Sequence, residues 1–344
     1  MKLLRFLLFP FAVLYDVITR IRNWFFNIGI LKSTPFDIPV IAVGNLSVGG
    51  TGKSPQIEYL IRLLKDNYKI AVLSRGYKRK TEGFQLVNDM HTAEDVGDEP
   101  LQFYKKFKND IIVAVDADRT NGIQQLLQND NPPQVVLLDD AYQHRKVTAS
   151  SYILLTKYND LYFEDFVLPT GNLRESRRGA KRAKVIVVTK CPENLPKTAQ
   201  EKIVRKINPK SYQKVFFTTI AYDENLKGTD DKLAIADLQH KEVLLVTGIA
   251  NPTSLLNFLK EKKVGFKHLN FPDHHNFTQQ DIENIKKSFE ELPSEQKIIL
   301  TTEKDYMRLE GKIDGLNYIS IKSKFLGEEK TFDSLVLEEI KKKN

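Results

Sequence analysis

Residues Ile41–Ser54 read IAVGNLSVGGTGKS, and this stretch decides the fold. The apolar run Pro39 to Val43 reads as a buried strand that ends at Gly44. A helix is expected from Lys53 to Lys65, with Pro55 in its first turn, where a missing N–H costs little. Strand, glycine-rich turn and helix in that order aim successive backbone N–H groups and a helix N-terminus at one anion. Gly49, Gly50 and Gly52 permit close approach of the backbone, and Ser47, Val48 and Thr51 complete the loop. In such a loop Lys53 reaches the β- and γ-phosphates of a nucleotide, and the Ser54 hydroxyl is placed to ligate Mg²⁺. The pattern G-x-x-x-x-G-K-[ST] is met except at its first position, which is Ser47 here.

Outward from the loop, further strands are expected at Ile70 to Leu73, Ile111 to Val115, Val135 to Leu138, Tyr152 to Leu155 and Val185 to Thr189. Most are continuous Val/Ile/Leu runs with helical stretches between them, as parallel strands buried on both faces require. The reading is α/β: a two-domain P-loop NTPase fold, with a doubly wound, mostly parallel sheet and a smaller α/β domain. The smaller series follows the polar stretch Asp223 to Lys232. Its strands are Val243 to Val246, Lys267 to Leu269, Ile298 to Thr301 and Tyr318 to Ile321, and its helices Pro252 to Lys262 and Thr278 to Glu290. The expected organisation is an N-terminal helix over 1–30, a nucleotide-binding domain over 31–222, a smaller domain over 236–325 that contributes to a cleft, and a C-terminal helix over 326–344.

The metal needs a second element. Val135 to Leu138 runs into Asp139 and Asp140, a hydrophobic strand ending in two carboxylates, which is the arrangement that holds Mg²⁺ beside nucleotide phosphates. Either aspartate can be the direct ligand, and Glu99 is a further candidate. The segment Val187 to Glu193, VVTKCPE, is like the guanine-reading [NT]-K-x-D, but Pro192 stands at the aspartate position and cannot accept the guanine hydrogen bonds. ATP is therefore the expected nucleotide.

Composition narrows the partners. The 344 residues carry 52 Lys and Arg against 44 Asp and Glu, a net charge of +8, which favours polyanions: nucleotide phosphates or an anionic membrane surface. No aromatic RNA-binding signature or helix-turn-helix pattern points to nucleic acid, and nothing points to an obligate protein partner. The single cysteine, Cys191, excludes an internal disulfide framework. At the N-terminus only the ten residues from Phe6 to Tyr15 separate Arg5 from Asp16, half of what a spanning helix needs. No small-x-small cleavage site follows. Phe6, Phe9, Phe11, Trp24, Phe25 and Phe26, with Lys2, Arg5, Arg20 and Arg22 among them, describe a helix lying in the membrane interface. The competing reading is a first helix packed into the core.

Nine segments occur together in a fixed order: GNLSVGGTGKS at 44–54, SRGY at 74–77, VGDEP at 96–100, DDAYQH at 139–144, PTGNLRE at 169–175, VTKCP at 188–192, TGIANP at 247–252, FPDHHNF at 271–277 and TTEKD at 301–305. In that order they resemble the tetraacyldisaccharide 4'-kinase family. The resemblance implies two α/β domains joined by a hinge, and transfer of the γ-phosphate of ATP to the 4'-hydroxyl of an acylated glucosamine disaccharide 1-phosphate in lipid A biosynthesis. It implies an enzyme held peripherally or monotopically at the cytoplasmic face of the inner membrane. It also implies a catalytic aspartate, matched by Asp98, aided by a histidine, matched by His274 with His275 beside it as a rival. Arg174, in GNLRE, is raised by the resemblance to a nucleotide-binding candidate. Ser47 agrees with the family's loop, whereas Ala141-Tyr142 departs from its usual Gly followed by Leu or Phe.

The residues support that chemistry on their own terms. A sugar hydroxyl is a weak nucleophile, so transfer needs a carboxylate for its proton, with Lys53 and Mg²⁺ neutralising the phosphoryl oxygens. Asp98 and Glu99 stand before Pro100 at an expected helix start, a place that suits a base or a capping acid equally. Arg119 is a second candidate phosphate clamp, and Arg75 and Tyr77 are candidates for the acceptor side. The alternative is a membrane-associated P-loop ATPase switch of the partitioning or positioning type. That class carries a lysine just before the Gly-Gly pair, where Val48 stands here.

Overall fold

The computed structural model describes residues 5–229 and 233–343. Lys2, among the basic residues expected at the membrane, lies outside them. The first helix, α1 (Phe9–Asn27), has Pro10 in its first turn, where the pyrrolidine ring does no harm. It buries only Ala12, which leaves a long apolar face in the open.

The chain then builds a large sheet from β1 (Val40–Asn45), β2 (Ile70–Ser74), β3 (Gln85–Leu86), β4 (Ile111–Val115), β5 (Val135–Asp139), β6 (Ser151–Lys157), β7 (Val185–Thr189) and β8 (Lys214–Tyr222). Helices α2 (Lys53–Leu64), α3 (Asp98–Phe107), α4 (Arg119–Leu127) and α5 (Lys197–Ile207) connect them. A second sheet of four parallel strands follows: β9 (Glu242–Thr247), β10 (Phe266–Asn270), β11 (Lys297–Thr302) and β12 (Leu316–Ile319). Its helices are α6 (Thr253–Glu261), α7 (Gln279–Glu290) and α8 (Glu303–Leu309). Strand β13 (Ile321–Phe325) and helix α9 (Glu329–Lys341) close the chain.

The large sheet runs β13-β8-β7-β6-β1-β5-β2-β4-β3, parallel except at its two edges. Strand order reverses at β1, which has β5 on one side and β6 on the other. Ligands of open α/β sheets bind beyond the strand ends at such a switch point, and the loop after β1 is the glycine-rich one. β1, β2, β5 and β7 are buried at every position, as strands covered on both faces must be. The second sheet has a separate core on each face, around Leu245 and Leu259 on one and around Val246 and Ile285 on the other.

Two elements differ from expectation. Strand β8 was not anticipated; its last three residues, Ile220 to Tyr222, are only half-buried near the sheet edge. Ile321 does not end the second sheet's last strand. The chain leaves that sheet after Ile319, and Ile321–Phe325 pair antiparallel with β8 in the large sheet. The return is driven by α9, whose Phe332, Val336 and Ile340 enter the same core as Ile57, Leu60 and Leu64 of α2.

Candidate active site

The glycine-rich loop is braced on each side. Val43 of β1 registers with Asp139 of β5, so the loop leaves the sheet beside that acid. Gly44 has no room for a side chain, since a Cβ there would lie 2.7 Å from Tyr142 Cβ. This close approach lets Gln143 Nε2 donate to the Asn45 carbonyl at 2.8 Å. Gly52 turns the chain into α2 with φ +84°, a left-handed conformation that favours glycine. Thr189 at the tip of β7 donates to the Thr51 carbonyl at 2.7 Å. On the other flank Val48 N–H donates to Asn172 O at 2.8 Å and Arg174 N–H to Leu46 O at 2.7 Å. The segment PTGNLRE thus clamps the Ser47–Val48 end of the loop.

Charged groups converge over it. Lys53 Nζ lies 3.5 Å from Asn45 Oδ1 and 3.7 Å from Asp140 Oδ2. Arg174 bonds the same Asn45 oxygen through Nη2 at 2.9 Å and reaches Asp140 through Nη1 at 3.2 Å. Against the effect of burial, Lys53 and Arg174 hold the Asp140 carboxyl below its ordinary value. Asp139 is different. Its Oδ2 accepts from Ser74 at 3.3 Å, while its buried Oδ1 has no hydrogen-bond partner among the described residues. Burial first, and then the neighbouring charge of Asp140, push the Asp139 carboxyl up to about 7. Glu99 is close enough to add to that push. A buried carboxylate oxygen with no partner beside an acidic neighbour suits a hard divalent cation. Mg²⁺ takes one or two carboxylates with phosphate oxygens and water, not an all-protein cage, and no three-carboxylate or His/Cys cage occurs among the described residues.

The second unit supplies the rest. His274, at φ +58°, donates its backbone N–H to Gly248 O at 3.1 Å. Gly248 in turn donates to the buried carboxylate of Asp305 at 2.8 Å, so TGIANP and TTEKD together shape the loop that carries His274. His274 Nδ1 stands 3.0 Å from Asp98 Oδ2, and Lys304 Nζ 2.9 Å from its Nε2. The ring thus sits among one carboxylate and two donor-only cations, Lys304 at Nε2 and Arg308 at 2.9 Å from Nδ1. Burial alone would raise the Asp98 carboxyl, but the hydrogen bonds from His274 and Arg308 hold it low. Lys304 also lies 3.6 Å from Glu99, and its charge reaches Lys190 beside Gly50. The dyad and the loop therefore share one cleft. Tyr77 meets the His274 ring edge-on, with centroids 5.5 Å apart.

Three sequence readings change. Asp98 is not a capping acid: Gly97 holds the cap position of α3, with no side-chain bond there. His275 turns away to Asp281 Oδ2 at 3.0 Å and stacks on Phe271, which leaves His274 alone at Asp98. Arg119 is no phosphate clamp, for its buried guanidinium bonds the carbonyls of Asp116, Ala117 and Asp139. Asn45, Lys304 and Arg308 were given no role by sequence reasoning. Asn45 carried a signal, its place directly after the strand; Lys304 lies in the recognised TTEKD, and Arg308 follows it by one helical turn.

Fold and site define a class: a P-loop kinase built of two α/β units. A profile of the family described as Tetraacyldisaccharide-1-P 4'-kinase matches residues 4–341. The tetraacyldisaccharide 4'-kinase of Flavobacterium johnsoniae is 55% identical over 343 residues, covering 99% of this chain and 98% of the relative. That of Bacteroides thetaiotaomicron is 44% identical, covering 88% and 82%. A solved structure of LpxK from Aquifex aeolicus, an "apo" form in complex with ATP, superposes with a TM-score of 0.79 at 32% identity, over 98% of this chain and 99% of that one. The chain belongs to the tetraacyldisaccharide 4'-kinase family. The switch-ATPase alternative is set aside.

Proposed function

We propose that the protein transfers the γ-phosphate of ATP to the 4'-hydroxyl of a tetraacylated glucosamine disaccharide 1-phosphate at the cytoplasmic face of the inner membrane. The observation that carries this reading is the Asp98–His274 pair, assembled from both units in the cleft that also holds the glycine-rich loop. Ser47 to Ser54 wrap the β- and γ-phosphates, and Lys53 and Arg174 neutralise their oxygens. Ser54 and one or two of the carboxylates Asp139, Asp140 and Glu99 would hold Mg²⁺, which supplies charge stabilisation at the phosphoryl oxygens when bound. Asp98 takes the proton of the 4'-hydroxyl as that oxygen forms its bond to the γ-phosphorus and the bond to the bridging oxygen of ADP breaks. His274, 3.0 Å from Asp98 Oδ2, keeps the carboxylate aimed at the acceptor.

The acceptor stays in the bilayer, because each buried CH₂ of its chains is worth about 0.8 kcal/mol, so the cleft must come to it. Helix α1 suits that task. Phe9, Phe11, Val13, Leu14, Val17, Ile18, Ile21 and Trp24 are all exposed. Its other face is bound by polar contacts: Tyr15 to Arg174 O at 2.8 Å and Asn23 to Glu175 at 2.9 Å. No helix among the described residues is long and apolar enough to cross a membrane. The test is incubation with γ-labelled ATP, Mg²⁺ and the acylated disaccharide 1-phosphate in detergent micelles. Label in the lipid fraction is the expected result; phosphate release that ignores the lipid contradicts it.

A further inference from the structure

Among the described residues, both hydrogen-bond partners of the Asp98 carboxylate come from the second unit. One is His274. The other is Arg308, whose Nε donates to Oδ1 at 2.8 Å and whose Nη2 donates to Oδ2. The same guanidinium reaches past the carboxylate: Nη1 donates to the His275 carbonyl at 3.2 Å, and Nη2 lies 2.9 Å from His274 Nδ1. Arg308 therefore touches the aspartate, the histidine and the backbone of the histidine's own loop, and its side chain is 11% exposed.

A fork of two N–H groups on two carboxylate oxygens fixes the plane of the carboxylate, which a single charge cannot do. It takes one lone pair on each oxygen, and with His274 also on Oδ2 the second lone pair of Oδ1 is left for a hydroxyl. Simple docking of the two units does not need this fork. Helices α3 and α8 are also joined by Lys105 to Glu310, by Lys106 to Glu303 at 2.7 Å and by Glu99 to Lys304 at 3.6 Å. Lys106 is itself buried between Glu303 and Glu58 of α2. The interface is thus held at three places besides the dyad.

We infer that Arg308 is a positioning residue for phosphoryl transfer: it fixes the plane of the Asp98 carboxylate and ties it to the His274 loop, so that alignment of the base depends on a residue of the second unit. The inference rests on the reading of Asp98 as the proton acceptor. Arg308 touches neither the loop nor any candidate metal ligand, so its loss should slow the chemical step and spare binding.

The test compares full-length Arg308→Met, Arg308→Lys, Lys105→Ala and Asp98→Asn with the wild type, using γ-labelled ATP and the acylated disaccharide 1-phosphate in mixed micelles. Arg308→Met should lower kcat by roughly 10- to 100-fold, the scale of a misaligned catalytic group, with KM for both substrates within about 2-fold. Arg308→Lys, which keeps the charge and loses the fork, should fall between it and the wild type. Lys105→Ala, which breaks a different contact between the same helices, should stay within about 2-fold of wild-type kcat. The inference is overturned if Arg308→Met turns over normally, if its loss lies in KM, or if Lys105→Ala loses as much. Should Arg308→Met fail to fold, Arg308→Lys decides, and a wild-type kcat there overturns it. An inactive Asp98→Asn beside an active Arg308→Met removes the role of Arg308 alone. An active Asp98→Asn removes the reading of Asp98 and this inference with it.

Discussion

His274 Nδ1 stands 3.0 Å from Asp98 Oδ2, although the two residues are 176 positions apart in the chain and belong to different α/β units. Lys304 Nζ meets the other ring nitrogen at 2.9 Å, so both nitrogens of the imidazole are engaged by charged groups. In the proposed mechanism the pair acts as one unit. Asp98→Ala should lower kcat by about 100-fold or more with little change in KM for ATP, and His274→Ala should do so more mildly. In the double variant the histidine's effect should nearly vanish. Full multiplication of the two losses in steady-state kinetics would show that the residues are uncoupled.

Lys53 sits at the mouth of the loop, and its nearest oxygens, Asn45 Oδ1 and Asp140 Oδ2, are no closer than 3.5 and 3.7 Å. Its ammonium is thus weakly engaged within the protein and available to phosphate. Lys53→Ala should lower kcat by roughly 100- to 1,000-fold, the scale found when one donor to developing charge is removed, while Tm in the absence of nucleotide stays within a few degrees. Turnover near the wild type in a folded variant would take the loop out of the chemistry.

Asp139 carries a testable cost in the absence of metal. Its folded carboxyl is raised to about 7, above its ordinary acidic value, chiefly by burial. Between those two values the unfolded chain is ionised and the folded protein still holds the proton, so stability falls as pH rises to about 7 and is flat above it. Asp139→Asn removes that loss. At pH 8 without nucleotide or Mg²⁺, calorimetry should give the variant a Tm equal to or above the wild type, while its activity demands more Mg²⁺. A lower Tm with unchanged Mg²⁺ dependence would mean that Asp139 is a structural acid.

Phe11 and Ile18, seven residues apart on α1, are 63% and 56% exposed and touch no core. Replacing both with glutamate should leave Tm and KM for ATP unchanged and release the protein from anionic vesicles in co-sedimentation. Arg20→Gln with Arg22→Gln should weaken binding more at low salt than at high salt, since the attraction is screened. Retention of the glutamate variant on vesicles would place the membrane contact elsewhere on the basic surface.

What the sequence revealed was what is local. The loop from Gly44 to Ser54 and the acid pair at the end of β5 each lie in one continuous stretch whose periodicity and composition imply its conformation. The α/β alternation was legible because buried parallel strands are unbroken apolar runs. The resemblance supplied Asp98 and His274, but the choice between His274 and His275 needed the loop geometry that turns one to Asp98 and the other to Asp281. Arg119 shows the limit most clearly. Beside Asp118 it looks like a free cation, and only the packing of α4 against the sheet reveals that both its terminal nitrogens are bonded to carbonyls. Arg308 is the converse, an ordinary helical arginine in sequence that the docking of α8 on α3 carries to the dyad.

The central claim is that one hydroxyl, at the 4' position, receives the phosphate. Its most direct measurement is ³¹P NMR of the lipid recovered after incubation with ATP and Mg²⁺, run in parallel on the acylated disaccharide 1-phosphate and its 4'-deoxy analogue. The natural acceptor should gain a second phosphomonoester resonance coupled to the 4' proton, and the 4'-deoxy analogue should gain none. A new phosphate resonance on the 4'-deoxy lipid, or a diphosphate signal at the 1 position, would contradict the account.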